Sequence, residues 1–261
     1  MKNSLFGFVF LILAGCNSSS DKKIPEMPGT YYMQSQTVSD GEKDTKYTDL
    51  KQLKIYTGNQ FMYVQVNPLD SFSAFGVGTY STGEGTVTEN VILSVSDSTY
   101  TDSPQSFTLN IEPTIEGYEQ IIPEITFNTQ KYKLTESYEK VKTTTDSPLD
   151  GVWKEIDSYT LVGNDTLHND RTQYKAFYDG HFMFGHTFLD SSSRRHTGIG
   201  FGTFKMINDK KISETDLNSS YAVIAGQTFE VDIEMDGKDR YKQVINADDG
   251  RTVIEFYERL K

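Results

Sequence analysis

Apolar and polar residues alternate in short runs along most of this chain, and glycine, asparagine and polar clusters separate the runs. A period of two with such punctuation marks half-buried β-strands joined by turns. In the first half it predicts strands at residues 29–38, 50–56, 60–66, 75–81, 86–93, 106–111, 118–127 and 130–139. The connections are mostly short and carry turn chemistry: Thr57-Gly58-Asn59, Gly83-Glu84-Gly85, Ile115-Glu116-Gly117 and Asn128-Thr129. The longer polar gap at residues 97–104 reads as a mobile surface loop. Sequential strands joined this way predict an antiparallel meander, which removes its edges by closing into a barrel.

The pattern then restarts. Lys54-Ile55-Tyr56-Thr57-Gly58-Asn59-Gln60-Phe61-Met62-Tyr63 returns as Lys175-Ala176-Phe177-Tyr178-Asp179-Gly180-His181-Phe182-Met183-Phe184. Each copy reads as a strand, a tight turn and a second strand led by Phe-Met-aromatic. Gly151-Val152-Trp153 answers Gly29-Thr30-Tyr31, Gln173 answers Gln52, and Gly200/Gly202 answer Gly76/Gly78. Glu214 answers Glu89, Gln243 answers Gln120, and Glu255 with Tyr257 answers Glu136 with Tyr138. So many matches in one order predict duplication of a closed unit. The expected fold class is all-β, with two tandem antiparallel up-and-down β-barrels at residues 28–141 and 150–261. Residues 142–149 form the linker, polar up to Leu149. Each unit is long enough for its own core, so each barrel is expected to fold alone.

Composition adds location. The 16 Tyr and 16 Phe suit strands. A formal net charge of −12 with no block of Lys or Arg excludes nucleic-acid binding. Cys16 is the sole cysteine, so no disulfide forms within the chain. Lys2, an apolar run at residues 5–13 and then Leu13-Ala14-Gly15-Cys16 resemble the signal peptide and lipobox of bacterial lipoproteins. The apolar run is too short to cross a bilayer core of about 30 Å. The resemblance implies a signal peptide at residues 1–15 and a lipidated Cys16 as the mature N-terminus. Residues 16–27 are then a flexible tether, and the protein is anchored by lipid in the cell envelope, at the outer membrane. The protein partner, if there is one, is not identified by any motif.

Gly151-Val152-Trp153 at the start of a first strand and Arg259 at the end of a last one resemble the lipocalin-like, or calycin, barrels. That resemblance implies that Arg259 lies on the indole face of Trp153 and closes one end of the barrel. Such a contact contributes about 0.5–2 kcal/mol. Tyr31 and Lys140 are the milder version of the pair in the first unit. The whole repeat is similar to small lipocalin-like domains of exported Bacteroidetes-type proteins. The residues that carry the likeness are Lys175/Phe177, Gly180 to Phe184, Gly200/Gly202/Phe204, Glu214 and Tyr257-Glu258-Arg259. It implies a barrel with an interior pocket and brings no activity with it.

The chemistry on offer is sparse. All four histidines, His168, His181, His186 and His196, fall in the second unit. His181 and His186 are an odd step apart and face opposite sides of a strand. No paired-ligand spacing exists, so neither metal nor other cofactor is expected. The glycine pairs lie in strands without a following helix, which excludes a dinucleotide loop. There is no Gly-x-Ser-x-Gly elbow, and lipidation consumes Cys16. Catalysis would fall to the recurring carboxylates, Glu89 with Glu214 and Glu136 with Glu255, as in a hydrolase or isomerase. No catalytic residue is assigned, and the expected function is non-enzymatic. The predicted lining of a ligand pocket is Met62, Tyr63 and Glu89 in the first unit and His181, Met183, Phe184 and Glu214 in the second. The ligand expected is a small apolar or amphipathic molecule. The alternative is a structural or interaction module of the envelope with filled barrels.

Overall fold

The computed structural model describes residues 24–67, 72–96, 99–127, 129–142 and 145–261. The expected signal peptide, Cys16 and the tether up to residue 23 lie outside the described residues.

The first half consists of β1 (Gly29–Ser39), β2 (Asp44–Tyr47), β3 (Lys51–Thr57), β4 (Gln60–Asn67), β5 (Phe72–Gly83), β6 (Thr86–Ser96), β7 (Tyr100–Thr101), β8 (Gln105–Pro113), β9 (Gly117–Phe127) and β10 (Gln130–Lys140). Neighbours in sequence are neighbours in space, and β1 also pairs with β10 from Tyr31 opposite Lys140 to Ser39 opposite Lys133. That closes an eight-stranded antiparallel barrel, with β2 and β7 as appendages on β1 and β6. The second half repeats it with β11 (Gly151–Val162), β12 (Asp165–His168), β13 (Thr172–Tyr178), β14 (His181–Leu189), β15 (Arg195–Asn208), β16 (Lys211–Ser219), β17 (Thr228–Asp236), β18 (Arg240–Asn246) and β19 (Thr252–Arg259). Here β11 closes on β19, with Trp153 opposite Arg259. The two tandem up-and-down barrels are those expected from the alternation. That alternation does not reveal β2 and β12, because both are almost wholly exposed and have no apolar face.

The copies share irregularities as well as strands. The register of the closing pair shifts between Met33 and Ser35 in the first barrel and between Glu155 and Asp157 in the second. A bulge of this kind bends the strand and raises its twist, which helps a small sheet close.

Each barrel is sealed at one end by an aromatic plug. Arg259 lies 4.0 Å from the ring centre of Trp153, and Lys140 lies 5.6 Å from that of Tyr31. The preceding glycines are required by this contact. Gly151 has φ +143°, and a Cβ there would sit 2.0 Å from Arg259 Nη1; Gly29, at φ +154°, would meet Lys140 Cε at 2.5 Å. The segment before each barrel completes the plug. Met27 is buried and accepts a hydrogen bond from Tyr31 Oη at 3.0 Å, while Leu149 is buried and accepts one from Trp153 Nε1 at 2.7 Å. Ile24 packs on the same first-barrel core. The expected tether therefore gives way to packed chain by Ile24, and the expected linker docks at Leu149.

The barrels are not independent bodies on a linker. Met62, Val64, Phe75 and Val77 on the outer face of the first barrel share one buried cluster with Val152, Met183, Ile199 and Phe201 of the second. Thr30 Oγ1 donates to Tyr178 O at 3.0 Å, and Gln60 Nε2 donates to Leu260 O. Arg195 lies 3.8 Å from the ring centre of Tyr100, so the segment expected to be a mobile loop carries β7 and a contact to the other barrel. This interface explains why both faces of β3 and β13 are buried, whereas β8 and β17 keep one face in water.

Candidate functional site: the interiors of the two barrels

Inward positions recur every second residue along a barrel strand. Arg171, just before β13, and Gln173, Lys175 and Phe177 on it step from the open mouth down to the plug. Around the barrel, β14 supplies Phe182, Phe184 and His186, β16 supplies Glu214 and Asp216, and β19 supplies Val253, Glu255 and Tyr257. Two glycines make room for the rings that border the space. A Cβ at Gly200 would lie 2.4 Å from the Phe184 ring, and one at Gly76 would lie 2.4 Å from the Tyr63 ring.

At mid-depth each barrel holds a buried polar ladder built from the same residue types. In the second, Lys175 Nζ is 2.6 Å from Glu214 Oε1 and donates to Gln243 Oε1 at 3.3 Å. Gln243 donates to Glu255, which also accepts from Tyr257 Oη at 2.8 Å, and Gln173 Nε2 donates to Tyr257 Oη at 2.5 Å. In the first, Lys54 Nζ is 2.6 Å from Glu89 Oε1 and donates to Gln120 Oε1 at 2.9 Å. Gln120 Nε2 and Tyr138 Oη donate to Glu136 Oε2 at 2.9 and 2.8 Å, and Gln52 Nε2 donates to Tyr138 Oη at 2.5 Å. Burying a lysine is costly unless it is paired and its carboxylate is otherwise bonded. The ladder meets that condition in both barrels. Its ammonium groups also lie over aromatic rings: Lys175 is 5.0 Å from Phe177, and Lys54 is 5.2 Å from Tyr56.

The mouths differ. In the second barrel Arg171 donates to Glu155 Oε2 at 3.0 Å and Oε1 at 2.7 Å, and also to Glu255. Burial opposes ionisation of Glu255, yet Arg171 and Lys175 hold its carboxyl below the usual range. Burial pushes Glu155 up in spite of Arg171. His186 bonds Gln173 Oε1 at 3.1 Å and Tyr221 Oη at 2.6 Å, and burial lowers its pKa to about 4, so its ring is neutral at pH 7. Asp216 is 2% exposed, its Oδ1 has no hydrogen-bond partner, and burial beside Glu214 pushes it up to about 7.

The space enclosed also differs. The second barrel has a cavity of about 350 Å³, walled on its apolar side by Phe184, Ile224, Phe229, Val231, Ile245 and Val253. The first has one of about 230 Å³, bordered by Tyr63, Gln65, Glu89, Phe107, Leu109 and Glu136 among others. Among the described residues, no group of three or more His, Cys, Asp and Glu is arranged to hold a metal.

The expected lining separates into two sets. Phe184 and Glu214 line the second cavity, and Tyr63 and Glu89 line the first. Met62 and Met183 face the opposite barrel and belong to the shared cluster. His181 also lies at the interface, its ring 5.7 Å from that of Tyr32 and its Nδ1 2.9 Å from Asp179 O. The physical reason is the period of two: in the Phe-Met-aromatic strand the flanking aromatics point inward and the methionine points out. Glu155, Arg171, Asp216 and Tyr221 are cavity-end residues that the strand pattern does not single out. The available signal was disagreement between the copies, since Met33, Leu50 and Val91 hold the places of Glu155, Arg171 and Asp216.

No protein-family model matches the chain, and no curated protein matches it.

Proposed function

We propose that this is a lipid-anchored envelope protein of lipocalin-like type that captures a small amphipathic molecule in its second barrel without transforming it. The observation that carries this reading is the second cavity. It combines an apolar wall with a polar side, and its volume lies in the range of small-ligand sites. The recurring carboxylates favour binding over catalysis, because Glu214 and Glu255 are engaged by Lys175 and Arg171 instead of being held ready for proton transfer. The fused barrels give the cavity a rigid wall, which reduces the ordering cost of binding. The anchor is supported by Leu13-Ala14-Gly15-Cys16.

Native mass spectrometry of the full chain, purified from its membrane in mild detergent, tests the capture. The expected spectrum shows the protein with one small non-covalent adduct besides its lipid anchor. Protein free of adduct in every charge state, even after incubation with a membrane-lipid extract, would contradict it. Cys16→Ser tests the anchor separately: the variant should lose its acyl chains and leave the membrane fraction once any residual signal segment is cleaved away.

A further inference from the structure

Among the described residues, Asp216 is the one carboxyl group of the second cavity with a fully buried oxygen that the fold leaves without a partner. It is nine-tenths buried, lines the cavity and has no counterpart in the first barrel, where Val91 takes its place. Its isolation is a matter of allocation. The cavity lining carries two cations, Arg171 and Lys175, against three carboxyl groups, Glu214, Asp216 and Glu255. Lys175 is held by Glu214 and Gln243, and Arg171 by Glu155 and Glu255. A ligand carboxylate or phosphate would find both cations already neutralised and would add to an acidic excess. A group that donates hydrogen bonds and carries positive charge would instead satisfy Asp216 and correct that excess. Gly200 brings Phe184 and Asp216 together, since a Cβ there would lie 2.4 Å from the ring and 2.7 Å from Asp216 Oδ2, and both residues line the cavity. The acid and the apolar wall therefore meet at one point.

We propose that the ligand of the second barrel is a primary amine on an apolar body, its ammonium held by Asp216 and its body lying against Phe184, Phe229 and Ile245. This rests on the capture reading above and narrows it to a ligand class. Arg171 and Lys175 then act as scaffold, keeping the other carboxylates occupied so that Asp216 alone receives the ligand.

The test is titration calorimetry of the full chain with phenylbutylamine, phenylbutanol and phenylbutyrate, which share a body and differ in head group. The wild type should bind the amine about tenfold or more tightly than either other probe, the range expected of a hydrogen bond to a charged group. Asp216→Val, which installs the first barrel's residue, should lose that preference while keeping phenylbutanol binding. Asp216→Asn keeps the size of the side chain and should lose the preference likewise. Equal or tighter binding of the alcohol or the carboxylate by the wild type would overturn the amine assignment and leave capture standing. An amine preference that survives both substitutions would also overturn it. Failure of all three probes to bind would overturn the assignment and count against capture.

Discussion

In the first barrel Met33, Leu50 and Val91 occupy the places that Glu155, Arg171 and Asp216 hold in the second, while the lysine, glutamates, glutamines and tyrosine beneath them are the same in both. Met33 and Leu50 belong to the first barrel's apolar core; Glu155 and Arg171 form an ion pair. The shared ladder is thus a structural requirement of this barrel, since it persists beneath an apolar mouth and beneath a charged one. The charged mouth is not such a requirement. It is where the second barrel departs from its twin, and it borders the larger cavity.

The largest effect should come from breaking that mouth on one side only. Arg171→Leu strands Glu155 and should cost about 3–5 kcal/mol in urea unfolding, as expected for an unpaired buried charge. Adding Glu155→Met recreates the first barrel's apolar pair and should recover most of the loss, because Glu255 keeps Tyr257 and Gln243 as Glu136 keeps Tyr138 and Gln120. A double variant as unstable as the single one would mean that the two mouths are not interchangeable.

The interface gives the next effect. Met183→Ala should cost about 2–5 kcal/mol, and the loss should be felt by both barrels, since Met183 packs in their common cluster. Trp153 emission, which reports the second barrel, and far-ultraviolet circular dichroism, which reports both, should trace one coincident transition in wild type. Two separated transitions would show the barrels to be energetically independent.

The plugs should differ by less. Arg259→Ala should shift Trp153 emission and cost about 1–2 kcal/mol, including the packing of the arginine stem. Lys140→Ala should cost less, because a lysine over a phenol at the longer distance is a weaker contact. Equal losses would remove that distinction between the copies.

The smallest effect is one of pH, and it has two opposed parts. Asp216, raised to about 7, binds its proton more tightly folded than unfolded, so its contribution to stability falls as pH rises from about 4 to 7. His186, lowered to about 4, contributes stability that is present above about 6.5 and is lost as pH falls toward 4. In wild type the two act in opposite directions, and Asp150, also pushed up to about 7 by burial, acts in the same direction as Asp216 in every variant. Asp216→Val should therefore expose the acid loss due to His186, and His186→Gln, which copies Gln65, should expose the loss toward neutral pH due to Asp216. Thermal melts from pH 4 to 7 check both, and matching profiles for the two variants would refute this assignment.

Much of this was legible in the residues. Alternation and turn glycines place the eight main strands of the first barrel, and the repeat carries that pattern to the second and matches Lys54, Glu89 and Glu136 with Lys175, Glu214 and Glu255. The plug pairs were legible through the resemblance to lipocalin-like barrels, and the closing register places each cation opposite its ring. The pairing of the barrels was harder to read. Met62 and Met183 are apolar whether a strand's outer face meets a ligand, a partner or another barrel, and periodicity separates faces without naming what covers them. Asp216 escaped because the acids singled out were those that recur in both copies, and Val91 stands at its place in the first; it shares the inward face of Glu214, two residues earlier.

The difference between the two cavities is tested most directly by filling each in turn. Ile122 and Ile245 line the first and second cavities, and both are half-buried, so a larger side chain can enter the space from either wall. Native mass spectrometry would compare full-length wild type, Ile122→Trp and Ile245→Trp from the same membranes, with circular dichroism showing each to be folded. Wild type and Ile122→Trp should carry one small-molecule adduct, and folded Ile245→Trp should carry none. An adduct that survives Ile245→Trp, or disappears with Ile122→Trp, would contradict the assignment of binding to the second barrel.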